Sequence, residues 1–524
     1  MEMKFRHLWC ALLLAIMATA AQASRASLRR VETDLVSSSQ TSMGTFLDGF
    51  NSILDIAEDI YTRVHGYIDG QGRRQEEGRK NPPNKGHLWA LLIAGSAGFG
   101  NYRHQADVAH SYHVLHNGGV PDEHIIVMVY DDIAHNPANP HPGKIINHPK
   151  GKDLYAGLPK DYTRDQVNVK NFLAVLKGDA QSVQKGPHAS GRVIEAGKDD
   201  RIFLFYSDHG APGLLGMPTG EFLFADQLHD AIRHRHETHG FKEMVLYIEA
   251  CESGSMFEGM LEDNVNVYAT TASNGQESSW GVYCPGMHPS PPPEYMTCLG
   301  DLYSVSWMED ADSNDISLES LQEQFERVRK RTSNNYTFVQ GSHVMEFGEM
   351  EIDQEPVSWY LGDSGYTNHA LLQGETEIPH ALHEKNMLHG AVEQRDADLM
   401  PLIMAARDTK NPSSQSMAQE TLERERYVRK NLDSNIEETM RRVVSRIRNT
   451  TNGILEHDVV VNHHIAPPQG RALVSDWDCL RNMMYMWESK CGPLGQYGMK
   501  HSRAFANICN LGLSHLDIQD VLSC

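Results

Sequence analysis

The 524-residue chain lacks any apolar run long enough to cross a bilayer, Leu8–Met17 near its start being too short, so stable membrane insertion is not expected. It also lacks a positive surplus. Lys+Arg number 47 against 69 Asp+Glu, a net of −22 with histidine neutral, which excludes non-specific binding to nucleic acid or anionic lipid. Nor does it have the composition of a disordered chain: 40% of residues are hydrophobic and 8% aromatic, enough for a sizeable core. Cysteine is sparse, eight residues in all. Cys10 falls in the leader, which leaves an odd seven that cannot all pair with one another.

Histidine, by contrast, is abundant. Protonating all 28 would carry the net charge to about +6, so mild acid acts strongly on this chain. Lys4 and Arg6 precede the apolar run Leu8–Met17 and two small-residue sites, Ala18-Thr19-Ala20 and Ala21-Gln22-Ala23. This is the pattern of a secretory signal peptide over 1–23, and the expected route is an oxidising secretory compartment. Cys479, Cys491, Cys509 and Cys524 cluster near the C-terminal end, as a module stapled by two disulfides would require. Cys284 and Cys298 bracket a Pro-rich loop that a third disulfide could close. Cys251 is left over, and on the count alone it serves equally as a nucleophile or as a buried inert thiol.

Residues 24–85 carry apolar residues at near-helical spacing, then a Gly, Arg, Gln and Glu stretch ending in Asn81-Pro82-Pro83. They read as an N-terminal propeptide and linker, or as an extra helix of the core. From 86 to 385, short apolar runs alternate with amphipathic stretches. Strands are expected at Leu88–Ala94, Ile125–Tyr130, Ile202–Tyr206, Met244–Ile248, Val265–Ala269 and His343–Phe347, and helices at 105–117, 168–177, 224–236 and 316–331. Unbroken apolar strands between helices imply an α/β fold with a mostly parallel sheet covered on both faces, its ligand site at the carboxyl ends of the strands. Residues 386–448 read as a linker and a charge-rich helix, and 449–524 as a helical module. Residues 401–524 hold 15 Lys+Arg against 14 Asp+Glu, so the acidity lies before them and electrostatic docking of the tail is expected.

Two strand ends carry the chemistry. Ile202–Tyr206 runs into Ser207-Asp208-His209-Gly210, and Met244–Ile248 into Glu249-Ala250-Cys251-Glu252. A His and a Cys leaving two parallel strands can meet above the sheet edge as the imidazole and thiol of covalent catalysis; a histidine ending a strand can equally be structural. The N–H groups of Gly210 and Cys251 can hold an oxyanion. A non-enzymatic alternative is metal binding by His135, His141 and His148 in their Pro/Asn-rich loop, although loop histidines without fixed spacing are usually solvated.

The runs NYRHQAD (101–107), MVYDDIA (128–134), YSDHG (206–210), YIEACESGS (247–255), NVYATTASN (266–274) and CLGDLYSVSWMED (298–310) resemble the legumain family of asparaginyl endopeptidases. GVYCPGMHPSPPPEY (281–295) fits the plant-type vacuolar processing enzymes best. The resemblance implies a caspase-like three-layer sandwich with a six-stranded sheet, followed by an all-α prodomain that inhibits the enzyme. It implies Cys251 as nucleophile, His209 as general base, Asn101 as the residue orienting the imidazole, and Gly210 and Cys251 as oxyanion donors. It implies an S1 pocket for an Asn side chain formed by Arg103, His104, Glu249, Ser278, Ser279 and Asp301, and a succinimide at Asp208. It pairs Cys284 with Cys298, Cys479 with Cys509 and Cys491 with Cys524, and requires no cofactor and no metal. Asn335 and Asn449 begin glycosylation sequons. Glu393 stands where many plant relatives have the junction Asn, which moves expected processing to Asn386, Asp396 or Asp398. The expected substrates are peptides and proteins with exposed Asn, cleaved in an acidic vacuole or lysosome. Ligation of the acyl-enzyme to an amine is the alternative outcome, and a membrane-bound transamidase of the same clan is disfavoured by the missing late span. Arg441, Arg442, Arg446 and Arg448 are expected to dock the tail on core carboxylates until acid removes the charge.

Overall fold

A computed structural model describes residues 86–362, 390–407, 412–450, 470–513 and 519. The signal peptide, the 24–85 segment, Asn386 and Cys524 lie outside the described residues. The central sheet consists of β1 (Leu88–Ala94), β2 (Ile125–Met128), β3 (Arg201–Ser207), β4 (Glu243–Glu249), β5 (Val267–Thr271) and β6 (Met345–Gly348), in the order β6-β5-β4-β3-β1-β2. The first five are mutually parallel and β6 closes one edge antiparallel to β5.

Because successive side chains alternate between faces, each buried strand feeds two cores. Leu91, Ile93, Leu204 and Leu246 pack on α2 (Val169–Lys177) and α3 (Ala225–Glu237). Ala90, Leu92, Phe203 and Tyr247 pack on α1 (Tyr102–Asn117), α4 (Leu302–Ser313) and α5 (Leu321–Thr332). The result is the three-layer sandwich expected from the sequence. The helix expected from 316 begins only at Leu321, where Ser320 and Glu323 form a reciprocal capping box.

A long helix, α6 (Pro412–Thr450), leads to α7 (Trp477–Cys491) and α8 (Ser502–Asn510). Their core includes Ile436, Met440, Leu480, Trp487 and Phe505, and it takes in Ala211, Leu214 and Phe224 of the sandwich. Cys479–Cys509 staples α7 to α8 and Cys284–Cys298 closes the Pro-rich loop, both as expected. Cys491 is also disulfide-bonded. Cys251 is the free thiol among the described residues.

Candidate active site

Strand register brings the two motifs together. Ser207 at the end of β3 pairs with Glu249 at the end of β4, so His209 and Cys251 each lie two residues past paired positions on one sheet edge. Gly210 passes so close that an added Cβ would sit 2.3 Å from the Cys251 carbonyl oxygen. Glu252 follows with φ of +47°, a left-handed conformation that a non-glycine residue adopts at a cost of roughly 1–2 kcal/mol.

Asn101 immediately precedes α1, and its Oδ1 lies 2.8 Å from His209 Nε2. The amide orientation is fixed because Asn101 Nδ2 donates to Ala97 O and to Gln496 Oε1, both at 2.9 Å. Oδ1 must therefore accept, His209 carries its proton on Nε2, and Nδ1 is left as the basic nitrogen. That nitrogen is buried with no hydrogen-bond partner. Burial, then Arg103, Arg395 and Arg429, hold the imidazole well below its ordinary pKa, so it is neutral and able to accept a proton. Burial pushes the Cys251 thiol up to about 11 although Arg395 pulls the other way, so the resting sulfur is a thiol.

The Cys251 thiol points to Gln394 Oε1, 3.4 Å away, and not to His209. Val392–Glu393 adds an antiparallel strand to Trp280–Val282, and Gln394 N donates to Ser279 O at 3.0 Å. This is the way an extended peptide docks on a sheet edge. The fully buried Gln394 side chain then directs Nε2 toward Asp301 Oδ1 at 3.4 Å and His104 Nε2 at 3.5 Å. The backbone carbonyl oxygen of Gln394 is held by Arg103 Nη2 at 3.4 Å. The next residue, Arg395, pairs with Glu252 at 2.5 Å and donates to Ser278 Oγ at 2.6 Å and Gly210 O at 3.2 Å.

Of the expected S1 residues, Arg103, His104, Glu249 and Asp301 converge on this buried pocket, with Arg103 Nε 2.9 Å from Asp301 Oδ1. Glu249 Oε2 accepts from Ser304 N and Oγ at 3.1 and 3.0 Å, and Oε1 is unpartnered. Burial, then Asp301, pushes Glu249 up to about 8. Ser279 borders Cys251 at 4.0 Å between Oγ and Sγ, whereas Ser278 faces Glu393 and Arg395 at the pocket rim. Asp107 was missed by sequence reasoning although it ends the NYRHQAD run. Its carboxyl group accepts from Asn147 Nδ2, Ser207 Oγ and Asp301 N beneath the pocket. Asp208 is fully buried and both its oxygens lack hydrogen-bond partners; burial raises its pKa well above the carboxylate range.

Among the described residues, one trio, His104, Asp208 and His209, places ligand-type atoms within 4.8 Å of one another. His104 Nδ1 there is engaged by Ser96 Oγ at 2.6 Å. His135, His141 and His148 form no such group: His141 bonds Glu294 and His148 packs on the Tyr283 ring. No described helix is long and apolar enough to cross a membrane.

The helical module lies over the cleft. Besides Gln496 on Asn101, Ser502 Oγ donates to Pro212 O at 2.7 Å, Arg503 donates to Gly275 O, and Arg481 makes two 2.8 Å contacts to Asp226. Arg429 of α6 grips the blocking segment through Arg395 O and Asp398, both at 2.7 Å. These contacts add to the docking arginines expected from the sequence, of which Arg448 has a side chain outside the described residues. Arg441 and Arg442 pair with Glu438 of their own helix, one turn away, while Arg429, Arg481 and Arg503 contact the blocking segment and the sandwich.

Comparison with known proteins agrees with this geometry. The peptidase C13 family matches residues 88–363 and the legumain prodomain matches 421–524. Vacuolar-processing enzyme beta-isozyme 1 of Oryza sativa subsp. japonica is 46% identical over 437 residues, covering 83% of each chain. Legumain of Canavalia ensiformis is 46% identical over 473 residues, covering 88% of this chain and 94% of that protein. The beta-isozyme of Arabidopsis thaliana is 47% identical over 431 residues, covering 82% and 84%.

Proposed function

The chain belongs to the peptidase C13 family, as a cysteine endopeptidase with a legumain prodomain, and from that premise we propose that it cleaves after Asn and is latent until acidified. Cys251 attacks the scissile carbonyl while His209 Nδ1 takes the thiol proton and later returns it to the leaving amine; Asn101 orients the imidazole. The N–H groups of Gly210 and Cys251 hold the oxyanion. Arg103, His104, Glu249 and Asp301 surround the P1 carboxamide, with Ser278 and Ser279 at the rim. At acid pH Glu249 is protonated but still offers a carbonyl oxygen to an amide N–H. Asp208, neutral and next to the His209 backbone nitrogen in sequence, is the succinimide-forming position.

The observation that carries this reading is Gln394, a carboxamide seated between Cys251 and Asp301. One methylene longer than Asn, it places its amide oxygen at the sulfur and gives its backbone carbonyl to Arg103, so it blocks the pocket and is not cut. Processing at Asn386, Asp396 or Asp398 would make release permanent; Asp396 is exposed, and Asp398 is held by Arg429. The relatives named vacuolar-processing enzymes point to the vacuole as the site of action. Acid-activated protein assayed at pH 5–6 on peptides differing only at the cleaved position tests the reading. Asn should exceed Gln by roughly 10- to 200-fold in kcat/KM, with Asp accepted only in acid. Equal cleavage of Asn and Gln would overturn the pocket. Added amine should leave hydrolysis dominant.

A further inference from the structure

The S1 carboxylates connect to the surface by a continuous hydrogen-bonded chain. Asp301 N and Asn147 Nδ2 both donate to Asp107 Oδ1, at 3.3 and 2.7 Å. Asn147 Nδ2 also donates to Leu299 O at 2.9 Å, which fixes the amide so that its Oδ1 faces His110 Nδ1 at 2.8 Å. His110 Nε2 lies 2.9 Å from Asp312 Oδ2, at the solvent end of α4. One ring nitrogen meets an amide oxygen and the other a carboxylate, so both must carry protons. The geometry itself therefore requires an imidazolium, buried to within about a tenth of its surface.

We propose that His110 is a positioning residue for the S1 pocket, acting through Asn147 and Asp107 to hold Asp301 against Arg103, and that its protonation links substrate binding to pH. The inference rests on the proposed Asn-binding role of S1. His110 touches neither substrate nor thiol. Its Nδ1–H holds the oxygen of the Asn147 amide already oriented by Leu299 O, and the Nε2–H anchors the ring on Asp312; without the proton on Nε2, the ring faces Asp312 with a lone pair, is no longer held, and the chain to Asp107 and Asp301 loosens. The groups facing His110 agree. Asp312 and Glu309 of α4 favour the charged form, burial opposes it, and the balance lies above the ordinary histidine value. His113 on the same helix and His148 on the adjacent loop are both lowered, so neither competes as the cation. Arg331 of α5 is committed to Glu309 at 2.7 Å.

The test compares acid-activated parent, Asp312→Asn and His110→Gln by KM and kcat for one Asn peptide from pH 4.5 to 7. Asp312 is partly exposed, and its replacement removes the largest contribution favouring the charged ring without entering the core. The parent KM should hold to higher pH than that of Asp312→Asn, because its imidazole is raised above the ordinary histidine value. Asp312→Asn should match it at pH 4.5 and rise by about tenfold towards pH 7, with kcat little changed. His110→Gln should show the raised KM at every pH. If folded Asp312→Asn follows the parent KM across the range, the proposal is overturned, even if His110→Gln fails to fold. Loss of Asn-over-Gln preference in the parent would instead overturn the S1 reading.

Discussion

Glu249 in the floor of the cleft and Asp433 in the prodomain are both carboxylates that burial pushes upward, yet they end at opposite extremes. Glu249 has another carboxylate, Asp301, as its neighbour and titrates near 8. Asp433 receives hydrogen bonds from His501, Tyr497 and Lys500, which outweigh burial and bring it down to about 2. Glu252, which holds Arg395 over the thiol, belongs with the first kind: burial raises it and Arg395 only partly reverses the shift. The contrast shows where acid acts. Arg395 favours ionised Glu252, so that contact weakens as pH falls, and it does so sooner than an ordinary carboxylate contact would. The depressed Asp433 contributes stability at all pH values above the normal carboxylate range, and that contribution is lost only as pH falls through about 2. On the proposed reading, acid loosens the blocking segment while the α6–α8 unit that carries it stays folded.

The largest effect should come from the reacting pair. Cys251→Ser or His209→Ala should lower kcat by at least about 10⁴-fold with the melting transition retained; substantial turnover in either purified variant would contradict the assignment. Next, Arg395→Ala removes contacts to Glu252 and Ser278 from the blocking segment. It should raise activity of the uncleaved protein at pH 7 by roughly 10- to 100-fold, as expected for the loss of a charge-assisted hydrogen bond. Parental latency in that variant would move the lock elsewhere. The smallest effect should be Asp433→Asn, which should lower the melting temperature by a few degrees at pH 5–7. That deficit should persist to pH 4 and fade only near pH 2; a deficit already gone at pH 5 would mean that acid acts on the prodomain core.

Much of the frame was legible because it depends on local pattern. The β1 run of seven apolar residues was read to its exact ends, and β3 and β4 within one residue at each end, since short unbroken apolar runs bounded by polar residues have the length of strands buried on both faces. Strand ends then placed His209 and Cys251 on one edge. The capping box that delays α5 was present in Ser320 and Glu323 but was passed over. The blocking role of Gln394 was not legible. Glu393-Gln394-Arg395 reads as a polar linker until it is seen paired along the Trp280–Val282 edge, more than a hundred residues earlier. Arg429, Arg481 and Arg503 were not picked out because each meets its partner only through tertiary packing, whereas Arg441 and Arg442 also reach Glu438 at i,i+3 and i,i+4 on their own helix.

The central claim is that acid opens the cleft by releasing Arg395 and Gln394 from Cys251. The most direct measurement is the alkylation rate of Cys251 in uncleaved protein, followed by peptide mass spectrometry and expressed as the ratio of parent to Arg395→Ala at each pH. The ratio removes the intrinsic fall in thiol reactivity with acid. It should be far below one at pH 7 and approach one by about pH 4.5, where buried carboxylates of raised pKa are protonated. A ratio near one at pH 7, or one that does not change with pH, would contradict the account.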